Sequence, residues 1–389
     1  LQREIEELRD QGFTDILLTV SRQTFQIVNT LKNGEDLGVH LSYYMENTPM
    51  GNTGALFRIR DRLTNPFLLL TADNVFDVDL HPMIQFHEQK NALVTILTRP
   101  TSHPYDCGLL ETDEENAIRS WYVKEDPRPA YYRNRVNSGI HLINPAVLDM
   151  VGVDGDKIGT RDPETGEYFK MDLDRQLLRP LCKTGRMFSY YSPEYCRDMG
   201  TPERYESVCR DFETGIFEAR RKESVKQAIF LPMEVVIRFD PMAKKEEEPV
   251  LRDDAAGMIQ QINRSGYYAA VYVLRETPNG SPWETVYRQM ETALGESGAF
   301  LDGIYEKPGL LTGRNVPESN TEGDPFWLRR MAEQELNIQM GNSWMLASTE
   351  EAIQIGRNAG SRIVMISRQD PQAETSEAAQ TVSILLRDP

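Results

Sequence analysis

Residues 68–80, LLLTADNVFDVDL, and residues 195–205, YCRDMGTPERY, decide how this chain folds. In each, an apolar stretch ends at an aspartate, Asp73 or Asp198, beside small or turn-forming residues. A parallel strand buried on both faces reads as a continuous apolar run. An acid at its carboxyl end falls in the crevice where open α/β sheets take ligands. Two such acids, far apart in sequence, can share one Mg2+ with the phosphates of a nucleotide.

Outward from these stretches, strands and helices alternate. DILLTV (15–20), VHLSYYME (39–46), PFLLLTAD (66–73) and ALVTILTRP (92–100) read as strands, the first of them buried. Residues 1–11, with Leu1, Ile5 and Leu8 on one face, read as a helix stopped by Gly12. NTGALFRIRDRL (52–63), MIQFHEQKN (83–91) and DLDRQLLRPLCKTG (172–185) read as further helices. This alternation predicts a doubly wound, mostly parallel sheet. Residues 105–145, rich in short polar and aromatic strands, read as an inserted substrate-binding part.

A charged helical connector at 203–225 precedes a second α/β series. Its strands are QAIFLPMEVVI (227–237), YYAAVYVL (267–274), FLDGIY (300–305), SWMLAS (343–348) and SRIVMIS (361–367). Helical patterns separate them, predicting a second doubly wound domain. The expected division is 1–222 and 223–389, with a polar, mobile tail at 369–381.

The bulk numbers agree. A chain of 389 residues exceeds one ordinary core. With 40% hydrophobic and 26% charged residues it has the composition of a soluble globular protein. No apolar run is long enough for a membrane span, and no secretory signal opens the chain. Cys107, Cys182, Cys196 and Cys209 show no metal-like spacing and read as reduced thiols of a cytoplasmic protein. The net charge of −17 argues against nucleic-acid binding. Leu1, rather than Met, opens the chain, so an upstream segment is expected.

The pieces of residues 1–215 resemble the sugar-phosphate nucleotidyltransferases, which include mannose-1-phosphate and heptose-1-phosphate guanylyltransferases. The matching residues are ENTPMGNTGAL (46–56), FLLLTADNVFDVDL (67–80), VNSGIHLINPAVL (136–148) and YCRDMGTPERY (195–205). The resemblance implies transfer of a nucleotidyl group from a nucleoside triphosphate, GTP by these relatives, to a sugar 1-phosphate. It implies Asp73 and Asp198 as catalytic Mg2+ ligands. It further implies that Gly51 and Gly54 line the base, with Glu46 nearby. By the same resemblance Asn137, Gly139 and Glu125 would meet the sugar, and Lys124 would stand in for a lysine whose place holds Asp126.

Plainer roles stand beside these. A strand-end Asp is also a helix N-cap, DMGT a simple turn, Asn137 a turn residue, and Glu125 a solvated acid. The glycines also simply shape a loop. The family's glycine-rich phosphate cradle, G-G-x-G-T-R-L, is not found from Leu1 onward. The alternative is therefore a non-catalytic regulatory or assembly partner of an active nucleotidyltransferase, as a homo-oligomer or with a paralogue.

Residues 226–367 resemble the haloacid dehalogenase (HAD) phosphatases, in the histidinol-phosphate and heptose-bisphosphate branch. The D-x-D-G positions hold Pro232 and Glu234. The Thr or Ser position holds Leu274, the lysine falls near Glu322, and the metal positions read Ala347, Ser348 and Ala352. Proline offers no nucleophile. The resemblance implies a Rossmann-like first domain and a HAD-like pseudo-phosphatase second domain that packs on, stabilises or oligomerises the first. The scattered histidines make no ligand cluster, and His141 reads as a core or pocket-edge residue. KKEEE (244–248) reads as a solvated loop. Trp121, Tyr122, Tyr131 and Tyr132 flank Glu125, either to stack a ligand or to pack.

Overall fold

The computed structural model describes residues 1–239, 249–277, 282–310, 323–367 and 377–387. KKEEE and Glu322 lie outside the described residues. The chain divides into two units. The first comprises 1–98, 110–125 and 137–208; the second comprises 99–109, 126–136 and 209–389. This division falls differently from the single cut after residue 222 that the sequence suggested.

Unit 1 contains helices α1 (Gln2–Asp10), α2 (Phe25–Leu31), α3 (Gly54–Arg58), α4 (His81–Gln89) and α5 (Val147–Met150), and the start of α6 (Pro202–Glu213). Strands β1 (Asp15–Ser21) and β2 (His40–Glu46) pair in parallel. Strands β3 (Phe67–Leu70), β5 (Val94–Arg99), β6 (Leu109–Thr112), β7 (Ile118–Tyr122), β8 (Val136–Ile143) and β9 (Met187–Tyr191) form one sheet. Strand β4 (Asn74–Asp77) pairs antiparallel with β10 (Tyr195–Asp198). The larger sheet is mixed rather than mostly parallel: β5 runs parallel to β9, but β3 and β6 run antiparallel to β8.

The first strand is half-exposed, not buried as its apolar sequence predicts. Among the described residues its one strand neighbour is β2, and that of β3 is β8. Yet Leu17 and Leu69 lean on one core cluster, while Ile16, Leu68 and Leu70 lean on another. The two strands thus share two cores without pairing with each other. The stretch 172–185 is not an ordinary helix. It forms a π-helical turn at Leu173–Leu178 and a 3-10 segment at Arg179–Thr184. Pro180 lacks the N–H that a continuing helix needs.

His141 lies fully buried on β8, its Nδ1 3.3 Å from the Leu69 carbonyl oxygen. Burial pushes its imidazole down to about 4, from 6.5 when free. The unfolded chain therefore binds more protons between those values. The histidine's contribution to stability is complete above 6.5 and is lost as pH falls toward 4. Between near pH 7 and near pH 5 it accounts for about 2 kcal/mol of lost stability. His141→Phe is expected to flatten that part of the pH profile in urea-unfolding measurements. An unchanged slope overturns the assignment.

Unit 2 contains α7 (Ile216–Ala219), β11 (Ala228–Pro232), the ribbon β12 (Ile237–Arg238) with β13 (Val250–Leu251), α8 (Ala255–Asn263), β14 (Tyr268–Val273) and α9 (Trp283–Glu296). It continues with β15 (Gly303–Glu306), α10 (Trp327–Leu336), β16 (Trp344–Ala347), α11 (Glu350–Ala359), β17 (Arg362–Met365) and α12 (Glu377–Leu385). Its sheet is parallel, ordered β15-β14-β11-β16-β17. This is the doubly wound arrangement, whose strand order reverses between β11 and β16. The predicted helices and strands of this half appear, except that the strand read over 227–237 stops at Pro232, where a 3-10 turn at Met233–Val235 leads into the separate ribbon strand β12. The tail is corrected in part: residues 377–385 form α12, which buries Ala378 and Val382 in the same core as α8.

Two buried ion pairs explain the boundary. Arg133 donates to Glu291 at 3.0 Å and to Glu284 at 2.8 Å, both on α9. Burial works against its charge, but the two carboxylates hold the guanidinium protonated. Tyr132 and Asn134 also donate backbone N–H groups to Thr292 and Glu291. The stretch read as a substrate-binding insertion is thus fastened, at 126–136, to α9. Arg220, at the end of α7, is bound to Asp302 in the core.

Candidate nucleotide and metal site

The carboxyl end of β3 opens into a short turn, Thr71–Asp73, before β4 begins. Pairing of β4 with β10 sets Asn74 opposite Asp198, and the Met199 N–H donates to the Asp73 carbonyl oxygen at 2.7 Å. The two acids therefore meet. A Cβ placed on Gly200 would stand 3.2 Å from Asp73 Oδ2 and 3.5 Å from Asp198 Oδ1. Both carboxylates thus border one small space that a side chain at residue 200 would fill. Among the described residues no larger metal-ligating cluster exists. A pair of carboxylates suits Mg2+, which seldom takes an all-protein cage and keeps water or phosphate among its ligands.

The turn is held from behind. Asn74, buried, donates to Thr71 Oγ1 at 2.9 Å and to the Ser138 carbonyl at 3.0 Å. Gly139 has φ +77°, and a Cβ there would meet Asn74 Nδ2 at 2.5 Å and Thr71 Oγ1 at 2.6 Å. Only glycine fits. Asn137 Oδ1 accepts the Gly139 N–H at 2.9 Å, so its amide oxygen serves the turn. The N-S-G stretch therefore positions the Asp73 turn.

Asp198 Oδ1 accepts from Arg204 Nη1 at 2.7 Å and from the Gly200 N–H at 3.2 Å. Glu4 of α1 is buried in the neighbourhood of Asp73 and Asn74. Burial pushes its carboxyl up to about 7, and the Asp73 charge adds to the rise. Sequence reading missed Arg204, Gly200, Asn74 and Glu4. One signal was there for Glu4: it lies at the i+3 position between Leu1 and Leu8, on the apolar face of the helix.

A second group forms around the loop before α3. Gly51, at φ +83°, lies so close to Met171 that a Cβ would meet its carbonyl oxygen at 2.3 Å. Gly54 is buried, with Ile158 Cγ2 and Met50 Cβ each 2.7 Å from where its Cβ would be. Asn52 Oδ1 accepts the Leu173 N–H at 2.8 Å. Both glycines thus let residues 50–54 pack under 158–173. Glu46, at the end of β2, is half-buried, which raises its carboxyl. Asp174 rises to about 6 through burial and the neighbouring Asp172. Glu125 and Lys124 are exposed, and Glu125 pairs with Arg175. Of the aromatic group, Trp121 and Tyr132 are buried as packing. All four cysteines are free thiols.

A sequence model of the family described as nucleotidyl transferase matches residues 1–215. The chain belongs to the nucleotidyl transferase family. The match spans the candidate site in full, from Glu4 to Arg204. Among curated relatives, the probable mannose-1-phosphate guanylyltransferase 2 of Oryza sativa subsp. japonica is 25% identical over 232 residues, covering 58% of each chain. The mannose-1-phosphate guanylyltransferase catalytic subunit beta of Drosophila pseudoobscura pseudoobscura is 27% identical over 234 residues, covering 58% of this chain and 56% of its own. The chain thus spans a little over half the length of these relatives. The solved structure of HddC from Yersinia pseudotuberculosis aligns with a TM-score of 0.44 and 20% identity, over 54% of this chain and 84% of that one. No helix among the described residues is long and apolar enough to cross a membrane.

Proposed function

We propose that this nucleotidyl transferase family member joins a nucleoside triphosphate, GTP by its guanylyltransferase relatives, to a sugar 1-phosphate. A phosphate oxygen of the sugar phosphate forms the new bond to the α-phosphorus, and the bond from that phosphorus to the β-phosphate oxygen breaks, releasing pyrophosphate. Such transfers depend on positioning and charge neutralisation more than on covalent help from the protein. Asp73 and Asp198 hold Mg2+, which when bound neutralises phosphate charge. Asn74, Thr71 and Gly139 keep the Asp73 turn in place. Asn137 and Gly139 face the sugar, with Lys124 and Glu125 beside it; Glu46 and the loop carrying Gly51 and Gly54 face the base. The convergence of Asp73 Oδ2 and Asp198 Oδ1 on one point above Gly200 carries the reading.

In unit 2 we read a HAD-like frame that has lost its phosphatase chemistry. The parallel order β15-β14-β11-β16-β17 supports the frame. Pro232, Leu274 and Ala347 at or beside the ends of its central strands can neither attack a phosphate nor bind a metal.

The test is the full chain with Mg2+, GTP and mannose 1-phosphate. Pyrophosphate and a guanosine diphosphate sugar are expected in equal amounts. Tight binding of GTP with no pyrophosphate, across several sugar 1-phosphates, would replace this reading with that of a non-catalytic partner.

A further inference from the structure

We propose that Arg204 competes with the divalent ion for Asp198 and holds the acid pair in a low-affinity state until a nucleotide arrives. The inference rests on the reading of Asp73 and Asp198 as the ion site. The oxygen of Asp198 that borders the space above Gly200 is Oδ1, and the same atom accepts from Arg204 Nη1 at 2.7 Å. Ion and guanidinium therefore contend for one atom. Without Arg204 the site carries two negative charges; with it, one is cancelled.

The placing of Arg204 does not serve its own helix. It stands in the first turn of α6, where the helix dipole disfavours a cation. The Arg204 N–H donates to Thr201 Oγ1 at 3.3 Å, which caps the start of the helix. The side chains of Arg204 and Asp198 keep 26% and 27% of their surface exposed. The carboxylate is therefore within reach of an ion from solvent. Once displaced, a guanidinium is a forked donor suited to phosphate oxygens. A triphosphate arriving with its ion supplies both replacements at once: the ion for Asp198, a phosphate for Arg204. Ion and nucleotide then bind with positive coupling.

Mn2+ serves as the probe, titrated into the full chain without nucleotide and followed by the electron paramagnetic resonance of the free ion. Arg204→Gln is expected to tighten Mn2+ binding about ten-fold, the order of one charge-assisted hydrogen bond. Arg204→Lys, which keeps the charge, is expected to stay within about two-fold of the parent chain. Asp73→Asn should abolish the binding in every background. If Asp73-dependent binding is present but Arg204→Gln leaves it unchanged or weaker, the competition is overturned and the ion site stands. If no background shows Asp73-dependent binding, the ion site and the competition fall together. Circular dichroism melts of each variant verify that it is folded.

Discussion

Asparagine at position 73 is expected to lower pyrophosphate release by the full chain about a thousand-fold, the upper range for removing one preorganised charge-stabilising group. The loss should fall on kcat/KM, because the interaction removed is one that strengthens as charge gathers on the phosphates. The substitution is structurally mild. The Asp73 side chain is exposed, and the tie to β10 uses its backbone carbonyl, which asparagine keeps. Stability should therefore stay within about 0.5 kcal/mol of the parent, as for other surface changes. That separates Asp73→Asn from Asp198→Asn, which also breaks the pair with Arg204. A coupled pyrophosphate assay alongside a thermal melt checks both halves. Turnover that survives Asp73→Asn ends the assignment of the ion site.

The two acids were legible because each follows an apolar run beside turn residues, a pattern that depends on neighbours in sequence alone, although β3 and β10 both pair antiparallel rather than as buried parallel strands. The strand pairings that bring them together were not. Nothing in YCRD says that it will lie antiparallel to NVFD, more than a hundred residues earlier, and that pairing is what converts two strand-end acids into one site. The same distinction holds for Asn74, whose amide reaches Ser138, and for Arg204, which reads as one more charge on a charged helix. Unit 2 was the more legible half. Its strands β11 and β14 are buried throughout and separated by amphipathic helices, so local pattern and topology coincide there. Unit 1 mixes parallel and antiparallel neighbours, and half-exposed β1 carries the same apolar letters as a buried strand. The segments at 99–109 and 126–136 read as parts of the first domain from order alone. The place of 126–136 in unit 2 is set by Arg133 against Glu284 and Glu291, a contact between residues about 150 apart that no periodicity announces, and Asn134 ties 99–109 to it through Thr101.

Alanine at position 302 is expected to destabilise unit 2 by about 3–5 kcal/mol, the cost of stranding one member of a buried ion pair. The Asp302 side chain is fully buried and that of Arg220 is 6% exposed. The contact is two-pronged, Nη1 to Oδ1 at 2.8 Å and Nη2 to Oδ2 at 3.1 Å. Asp302 Oδ2 also accepts the Ala269 N–H at 2.8 Å, which ties the pair to β14. The guanidinium in turn donates to the Tyr267 carbonyl oxygen at 3.1 Å and lies 4.4 Å from the centre of the Tyr268 ring. With the carboxylate gone, the charge keeps those contacts but loses the counterion that offsets its desolvation. Replacing both partners with apolar residues removes the stranded charge altogether. The double variant Arg220→Met with Asp302→Leu should therefore recover at least about 2 kcal/mol relative to Asp302→Ala. Urea unfolding of the full chain, followed by the fluorescence of the unit 2 tryptophans Trp283, Trp327 and Trp344, measures both steps. A single-variant cost below about 1 kcal/mol would mean that the pair lies in a far wetter setting than its burial indicates.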